Sequence, residues 1–419
     1  MREVRVCAIA FDYYPFELRF RRIAEAAADA GYSASVICLR DRGELPYEVC
    51  NGVRTYRVPQ RRAYNGSFFM AALSWVWFTV LAGVVLTWLQ LRHRYDVVIA
   101  HNMPDFLVFA ALVPKLLGAC VILDVEDVSP ELMAAKASGK LAKRVLWRLA
   151  VWQERISTAF ADRVMTTGSP FEELLVQRGV PRDRQIIVIN SADPKLFPMD
   201  RLQAPPPGDD ADRPFIFMYY GTVARRNGLD TAIRALAIAS AVEPRLQLDI
   251  MGLGEEMPAL RTLAGELGVG DRVRFVPPCQ SDEIVTFIEH GDAGIIPYRC
   301  DGFAEFVLPT KAYEMAWAHR PMVASDTPAI RSMFRPTSIK LCDPESPEAF
   351  ARAMVEICQQ PALRQELAAA AAEDYAPMRW DVVRQEYQRV LGELAGRPTL
   401  PLVQARTQEP VATRPSGDR

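Results

Sequence analysis

Short apolar runs of four to seven residues, rich in β-branched side chains, alternate along the chain with stretches of helical periodicity. This alternation is typical of βαβ units and predicts parallel β-sheets with helices on their faces. The pattern occurs twice, and residues 198–214, with a proline run and acidic residues, separate the two series. The predicted strands lie in VRVCAIA, ASVICL, VRTYRV, DVVIAH, CVILDVE, RVMTTG and IIVIN, and then in FIFMYYG, LQLDIMG, RVRFV, DAGIIP, PMVAS and SIKL.

The two series predict an α/β protein with two Rossmann-like domains that face each other. We place the first domain at residues 1–197, a linker at 198–214 and the second domain at 215–378. A helical pattern follows at 379–396, and residues 397–419 lose all periodicity, which predicts a disordered tail. Ligands of such sheets bind at the carboxyl ends of the strands, so we expect the site in the cleft between the domains.

One helical segment, Phe68 to Leu91, contains no charged residue over 24 positions. At about 1.5 Å per residue it is long enough to cross a bilayer. Crossing is disfavoured because strand patterns lie on both sides of it, and one sheet cannot have strands on both sides of a membrane. A buried core helix is one alternative. We favour the other, a surface that docks into the membrane interface, where Trp75, Trp77 and Trp88 would suit the headgroup region.

Charge and cysteine usage restrict the partners and the compartment. The 49 basic and 51 acidic residues give a net charge of -2, which provides no overall field for attracting nucleic acid. The eight cysteines form no CxxC pair, which favours reduced thiols. The N-terminal MREVRVCAIAF resembles a first strand more than a signal peptide. We therefore expect a cytoplasmic protein, peripheral on the inner face of the cytoplasmic membrane.

Glycines follow two predicted strands of the second domain. In YYGTVARRNG, Gly221 ends the strand and Arg225 and Arg226 precede the next helix, and Gly252 and Gly254 repeat this strand-to-helix turn. A helix N-terminus with nearby guanidinium groups suits a phosphate. The alternatives are that the glycines serve backbone geometry or tight packing and that the arginines are merely solvated.

The segment LPTKAYEMAWAHRPMVAS, residues 308–325, predicts a loop, a helix and a strand. Pro309 and Thr310 mark the helix start, and Lys311 and Glu314 lie three residues apart on one side of the first turn. A diphosphate would meet the helix N-terminus and the lysine, while the carboxylate could accept hydrogen bonds from two ribose hydroxyls. The alternative is an ordinary surface ion pair.

Candidate polar residues also follow strands of the first domain. His101 ends one predicted strand, and the carboxylates Asp105, Asp124, Glu126 and Asp127 cluster near it, the last three within DVED. Such groups could orient an acceptor hydroxyl or accept its proton, although a structural turn explains them equally well. Their spacing indicates no metal site. Near the N-terminus, Asp12, Arg19 and Arg22 could meet an acceptor diphosphate, or could form an exposed basic helix face.

Several of these motifs, taken in order, resemble the retaining, nucleotide-sugar-dependent glycosyltransferases of family 4, of the bacterial cell-surface polysaccharide type. The resemblance covers roughly the first 395 residues and includes YDVVIAHNMPDFLVFAALVPKLLGACVILDVEDVSPEL, IIVINSADPKLF, YYGTVARRNGLDTAIRA, LDIMGLGEEMPALRTLAGELGVGDRVRFVPP, GDAGIIPY and LPTKAYEMAWAHRPMVAS. It implies the GT-B fold of two facing Rossmann domains, with the last helix returning to the first domain. It also implies an enzyme that needs no metal and no other cofactor.

The resemblance assigns the ribose-binding glutamate to Glu314 and the phosphate-facing helix start to Leu308–Lys311. The chain departs from the family pattern at Phe306, where a glutamate is usual, and Glu305, one position away, is the residue that would face the sugar of the donor. Thr222 and Asn227 replace the usual basic residues of the glycine turn. Neutralisation of the diphosphate would then fall to Arg226, Arg225 and Lys311, with Thr222 on the donor side of the turn. Glu126 stands where many members carry a histidine.

Together these features predict a retaining glycosyltransferase. It would move a sugar from a nucleotide diphosphate sugar to a hydroxyl of a lipid-linked saccharide in cell-surface polysaccharide or glycolipid synthesis. Two alternatives remain open: a sugar-nucleotide epimerase of the same architecture, and a degenerate scaffold that binds membranes or partner enzymes without catalysis.

Overall fold

A computed structural model of the chain describes residues 3–62, 68–136, 139–198, 213–278, 281–300 and 306–396. Most of the predicted linker and the whole predicted tail lie outside these ranges, as does Glu305. Two parallel sheets organise the described residues, one in each half of the chain. The architecture is therefore α/β with two Rossmann-like sheets, as the alternating pattern predicts.

The first sheet has eight strands in the order β3-β4-β2-β1-β5-β6-β7-β8. All of its pairings are parallel except β3 with β4, an antiparallel edge pair that the sequence patterns do not reveal. Its strands are β1 Arg5–Ile9, β2 Ser33–Leu39, β3 Tyr47–Cys50, β4 Val53–Val58, β5 Val97–His101, β6 Cys120–Val125, β7 Arg163–Thr166 and β8 Gln185–Ile187. Its helices are α1 Leu18–Asp29, α2 Phe68–His93, α3 Leu112–Leu116, α4 Ser129–Lys136, α5 Lys140–Phe160 and α6 Ser169–Gln177, with 3-10 turns at Asp105–Ala111 and Arg182–Arg184.

The second sheet has six parallel strands in the order β11-β10-β9-β12-β13-β14. They are β9 Phe215–Tyr220, β10 Leu246–Met251, β11 Val273–Val276, β12 Ala293–Ile296, β13 Met322–Ser325 and β14 Lys340–Cys342. The helices are α7 Leu229–Ala239, α8 Met257–Glu266, α9 Ser281–His290, α10 Thr310–Trp317, α11 Pro328–Met333, α12 Pro347–Gln359, α13 Pro361–Tyr375 and α14 Trp380–Leu394, with 3-10 turns at Arg225–Asn227 and Ala376–Met378.

Local chemistry explains these elements. Every residue of β2, β5 and β12 is buried, as expected for strands covered by helices on both faces. Helix α12 begins with a capped turn, because the Ser346 hydroxyl accepts a hydrogen bond from the Ala349 amide at 3.3 Å and Pro347 supplies a preset φ at the first helical position.

Helix α2 lies on one face of the first sheet and is apolar on both of its sides. Phe78, Ala82, Leu86 and Leu89 are buried in the core of that face. The opposite side is a stripe of exposed residues that follow each other at helical spacing: Leu73, Trp77, Val80, Val84, Trp88 and Leu91.

The exposure of α2 tests the core-helix and membrane-crossing alternatives for the segment Phe68 to Leu91. The helix is long and apolar enough to cross a membrane by length and composition, but only 17% of its most apolar 18-residue window is buried. The core-helix alternative is therefore wrong. The strands before and after α2, β4 and β5, belong to the same sheet, which disfavours crossing.

Helix α14 returns to the first domain, as the family resemblance implies. Its residues Trp380, Val383, Tyr387 and Leu391 pack in the core on the α1 side of the first sheet. The Gln388 side chain donates a hydrogen bond to the Ala26 carbonyl of α1 at 2.7 Å.

A second contact joins the two halves of the chain on the α6 side. Phe306 and Val307 pack against buried Val128 and Phe171. Gly168, just before α6, approaches the second domain so closely that a Cβ there would lie 2.2 Å from Cδ1 of Leu308.

Candidate active site

Close contacts between backbone segments shape the turns after β9 and β10. A Cβ on Gly252 would lie 1.9 Å from the Gly221 carbonyl oxygen, and a Cβ on Gly254 would lie 1.9 Å from the Val223 carbonyl oxygen. The two turns are also joined by the Gly221 amide, which donates to the Met251 carbonyl at 2.9 Å. Tight packing therefore explains Gly252 and Gly254, and it holds the carboxyl ends of the two strands at the candidate site.

Lys311 lies in the first turn of α10 and faces the turn after β9. Its Nζ donates a hydrogen bond to the Tyr298 hydroxyl at 2.7 Å and lies 4.6 Å from the centroid of the Tyr219 ring. A Cβ on Gly221 would lie 3.7 Å from this Nζ. Burial alone would lower the pKa of Lys311, but the two tyrosines and the nearby Glu314 raise it above its usual value. The site thus holds a cation beside the strand ends.

Glu314 lies one turn further along α10, with its carboxylate held by Tyr220. The Tyr220 hydroxyl donates to Glu314 Oε2 at 2.7 Å. Burial raises the pKa of Glu314, whereas the Tyr220 hydrogen bond, Lys311 and Arg22 of the first domain act in the opposite direction. In the described structure Lys311 and Glu314 form no ion pair with each other, and Lys311 is buried. The surface ion-pair alternative is therefore wrong.

The other predicted residues of the donor side lie around this centre. Thr222 and Arg225 are exposed, and Thr222 accepts a hydrogen bond at its carbonyl from the Tyr219 hydroxyl at 2.7 Å. Arg226 is half-buried. Its charge lowers the pKa of Tyr219, whose ring lies 4.6 Å from Lys311 Nζ. Pro309 and Thr310 begin α10, as predicted.

A buried ionic cluster lies at the carboxyl ends of β5 and β6 in the first domain. His101 Nδ1 lies 2.9 Å from Asp124 Oδ2 and 3.2 Å from Glu126 Oε1. Arg19 of α1 donates to both oxygens of Asp124, from Nε at 2.8 Å and from NH2 at 2.7 Å. The structure therefore brings His101, Asp124 and Glu126 of the predicted cluster together, and it adds Arg19 to them.

The cluster shifts the pKa of each of its acids and of the histidine. Burial opposes a charged His101, but the hydrogen bonds to Asp124 and Glu126 raise its pKa to about 9. Burial likewise opposes a charged Asp124, but Arg19 and His101 lower its pKa to about 2. Burial raises the pKa of Glu126 to about 7, and the charge of Asp124 adds to this effect. Glu126 is thus the member of the cluster that titrates nearest neutrality, as acid-base chemistry requires.

The structure corrects two of the predicted acceptor residues. Arg19 and Arg22 are only 3% and 7% exposed, so they form neither an exposed basic face nor an open diphosphate site. Arg19 also donates to the Val188 carbonyl at 2.6 Å, and Arg22 donates to the Ser191 carbonyl and lies over the Trp380 ring.

Both arginines therefore hold the end of the first domain, and Arg22 also contacts the returning helix. Asp12 is partly exposed and pairs with Arg62.

The His101 cluster also bears on the expectation that no metal is needed. His101, Asp124 and Glu126 bring three possible ligand atoms within 4.8 Å of one another, a geometry that could hold an ion. Arg19 already occupies both Asp124 oxygens, however, and its guanidinium supplies the positive charge that a metal would bring. These residues fit a protein cation better than a metal ion, and metal independence stays a prediction.

Sequence reasoning missed the three tyrosines that position Lys311 and Glu314. Tyr219 and Tyr220 end β9, and Tyr298 follows β12. The signal was present in the sequence, because all three tyrosines end or follow apolar strand runs whose carboxyl ends line the site. Arg19 and Asp124 are 105 residues apart in the chain, and no sequence spacing connects them.

Two Rossmann-like domains with this topology, and a last helix that returns to the first domain, define the GT-B fold. Sucrose-phosphate synthase from Thermosynechococcus elongatus has the same fold, with a TM-score of 0.73, 18% identity and coverage of 94% of this chain and 99% of that chain. Anabaena HepE in complex with UDP and glucose is similar, with a TM-score of 0.66, 14% identity and coverage of 93% and 100%.

The chain belongs to the group 1 glycosyltransferases. The family model "Glycosyl transferases group 1" matches residues 201–374, and the model "Glycosyl transferase 4-like domain" matches residues 17–191. The match to residues 17–191 covers the His101 cluster of the first domain, and the match to residues 201–374 covers Lys311 and Glu314. This membership makes the chain an enzyme of the glycosyltransferase class and disfavours the epimerase alternative.

Two curated relatives of the chain are also glycosyltransferases. The chain is 26% identical over 251 residues to a D-inositol 3-phosphate glycosyltransferase of Thermomonospora curvata, covering 56% of this chain and 57% of the relative. It is 25% identical over 399 residues to D-inositol 3-phosphate glycosyltransferase 1 of Catenulispora acidiphila, covering 90% of each. The chain thus spans little more than half of the first relative and most of the second.

Proposed function

We propose that the protein is a retaining glycosyltransferase of family 4 that moves a sugar from a nucleotide diphosphate sugar to a hydroxyl of a lipid-linked saccharide. The observation that carries the proposal is the pair of residues on α10: a buried Lys311 cation and, one turn later, a Glu314 carboxylate held by Tyr220 at 2.7 Å. A cation next to a carboxylate suits a diphosphate next to a ribose.

The donor half of the reaction follows from this arrangement. Lys311, with Arg226 and the N-terminus of α10, would neutralise the charge that develops on the diphosphate as the sugar leaves. The tyrosine contacts hold the lysine in place before the donor arrives, so little reorganisation is needed during the reaction. Glu314 would accept hydrogen bonds from the ribose hydroxyls. No metal and no other cofactor enter this proposal, because protein cations provide the positive charge.

The acceptor half is assigned to the first domain. Glu126, whose pKa burial raises to about 7, would exchange a proton at the cleft, and His101 would position its carboxylate at 3.2 Å. The exposed apolar side of α2 supports an acceptor carried by a lipid, with the protein peripheral on the inner face of the cytoplasmic membrane, in polysaccharide or glycolipid synthesis.

A small phosphorylated acceptor is the second candidate. It is favoured by the two curated relatives, which are named for D-inositol 3-phosphate. The two candidates differ in one respect that can be measured: transfer to a lipid-linked acceptor should depend on vesicles, whereas transfer to an inositol phosphate should proceed in solution.

Donor binding is the first step to test. The purified protein is screened by thermal shift against UDP, GDP, ADP and their common sugar conjugates. We expect a selective shift that Glu314→Ala abolishes, because two hydrogen bonds to a charged group at about 1.5–3 kcal/mol each correspond to roughly 100-fold or more in affinity.

The control is Glu366→Ala, which removes an exposed carboxylate from α13 and should leave the shift unchanged. A shift of equal size in Glu314→Ala would show that this residue does not hold the donor. The lack of any shift in the unmutated protein would favour the degenerate scaffold.

A further inference from the structure

Helix α5 carries a second exposed apolar surface, apart from that of α2. Leu141, Val145, Leu149 and Trp152 follow each other at intervals of four, four and three residues, which places them in one stripe along the helix. Leu141 is 77% exposed and Trp152 is 63% exposed. The opposite side of the helix carries the buried residues Ala150, Glu154 and Ser157, so the stripe faces away from the protein.

Basic residues border this stripe. Arg144, Arg148 and Arg155 lie within about a quarter turn of it at 3.6 residues per turn, and Lys140 and Lys143 are in the first turn of the helix. Lys140, Lys143, Arg144 and Arg148 are exposed. Among the described residues none of the five forms an ion pair. The helix therefore combines unneutralised positive charge with exposed leucine and tryptophan.

Helices α2 and α5 belong to the same layer of the first domain. The core under α2 also contains Leu107 of the 3-10 turn and Ala161 at the end of α5, and α1 and α14 cover the other face of the sheet. Phe109 of the 3-10 turn packs against Phe160 of α5, with ring centroids 5.1 Å apart.

The surface between the two helices is also apolar. Leu112 and Leu116 of α3 are 51% and 76% exposed. A groove of about 550 Å³ runs between α2 and the segment 109–113, and it opens on the exposed residues Val84 and Trp88.

We propose that the outer surfaces of α2, α3 and α5 form one docking face for an anionic phospholipid leaflet, with the basic border of α5 contacting the lipid phosphates. The inference extends the membrane association proposed above, on which it rests, by adding a second helix and the chemical class of the lipid. Amphipathic helices with lysine and arginine beside tryptophan and leucine bind in this way.

The positive charge of α5 favours an anionic lipid surface over a second copy of the chain as the partner of this docking face. The whole protein has a net charge of -2, yet this helix carries five basic residues without ion-pair partners among the described residues. A second copy would bring the same positive helix against the first and repel it. An anionic lipid surface neutralises the charges of Arg144, Arg148 and Arg155 and covers the apolar stripe at the same time.

The test measures binding of the full-length protein to vesicles by flotation. One set of vesicles contains phosphatidylcholine alone, and the other contains an equimolar mixture of phosphatidylcholine and phosphatidylglycerol. We expect tighter binding to the anionic vesicles, weakened by salt. The variant R144E/R148E/R155E reverses the three charges beside the stripe and should bind the anionic vesicles roughly 100-fold more weakly or worse, because each basic residue near such a surface contributes a factor of about five.

A matched control, R234E/R261E/R352E, makes the same change of charge on exposed residues of the second domain. It should bind as the unmutated protein does. Trp152→Ser should weaken binding to both kinds of vesicle, because it removes an apolar contact and no charge. Equal binding to both vesicle sets, unchanged binding of the α5 charge variant, or an equal loss in the control would each overturn the inference, as would a dimer in solution that the α5 charge variant dissociates.

The donor thermal shift separates this inference from the proposed reaction. The α5 charge variant should keep the shift of the unmutated protein, which also shows that it folds. Vesicle binding without any nucleotide shift would refute the reaction alone. A nucleotide shift without preference for anionic vesicles would refute the docking face alone.

Discussion

Replacing Asp124 with asparagine should strongly destabilise the first domain. Asp124 is fully buried and accepts two hydrogen bonds from Arg19, at 2.8 and 2.7 Å, while His101 Nδ1 lies 2.9 Å away. Asparagine keeps the size of the side chain but loses the charge. Arg19, itself 3% exposed, would then keep only the more distant carboxylate of Glu126, 3.8 Å from its Nε.

The expected cost can be worked out from this geometry. Breaking a buried ion pair by removing one partner costs about 3–5 kcal/mol, because the remaining charge stays buried without compensation. In a domain of this size each kcal/mol lowers Tm by about 2–4 °C, so we expect a decrease of roughly 6–20 °C.

Urea unfolding of the first domain, followed by circular dichroism, measures the effect. The midpoint should fall and the slope should stay unchanged, since the same surface is exposed on unfolding. Asp271→Asn, at an exposed carboxylate of the second domain, is the control and should shift the midpoint little. The double replacement of Arg19 by Met and Asp124 by Leu should cost less than the two single replacements together.

Two results would refute this reasoning. A loss of less than about 1 kcal/mol in Asp124→Asn would mean that water or another group compensates Arg19. Additive costs in the double variant would mean that the two side chains act independently, in spite of the distances between them.

Two further predictions concern the turns and the pH dependence. Gly254→Ala should lower Tm and weaken donor binding in the thermal-shift assay, because the added Cβ would lie 1.9 Å from the Val223 carbonyl oxygen. The control is Gly265→Ala, where the added Cβ meets open space. Equal effects of the two substitutions would contradict the packing argument. Glu126 binds its proton more tightly in the folded state, with a pKa of about 7 against 4.5, so the stability that it contributes is fully present below pH 4.5 and is lost as the pH rises through 7. Glu126→Gln should reduce the dependence of the urea midpoint on pH across this window. An unchanged pH dependence of the midpoint in this variant would show that burial does not raise the pKa of Glu126.

Most of the fold could be predicted from the sequence because its signals are local. Continuous apolar strands such as β2 and β5, separated by helical periodicity, identify parallel sheets without any knowledge of distant contacts. The start of α10 at Thr310 was also predictable, since proline marks the first turn of a helix. Strand β3 was not, because YEVC is short, half exposed and pairs only at the sheet edge.

The candidate site was predictable only in part, for a physical reason. Lys311 and Glu314 are close in the chain, so helical spacing alone places them together. Arg19 and Arg22 show the opposite case: a run of basic residues in the sequence suggested a solvated face, and only the tertiary structure supplies the buried partners, Asp124 and the carbonyl of Ser191.

The attachment of both chain crossings to α1 has a mechanical consequence. The chain leaves the first domain after β8, where Arg19 and Arg22 hold residues 188–191, and it comes back as α14, which binds the same helix through Gln388. Two crossings fixed on one helix leave that side of the molecule as the axis about which the domains can rotate. We expect any rotation of the domains about that side to separate Phe306 from Phe171, the other contact that joins the two halves of the chain.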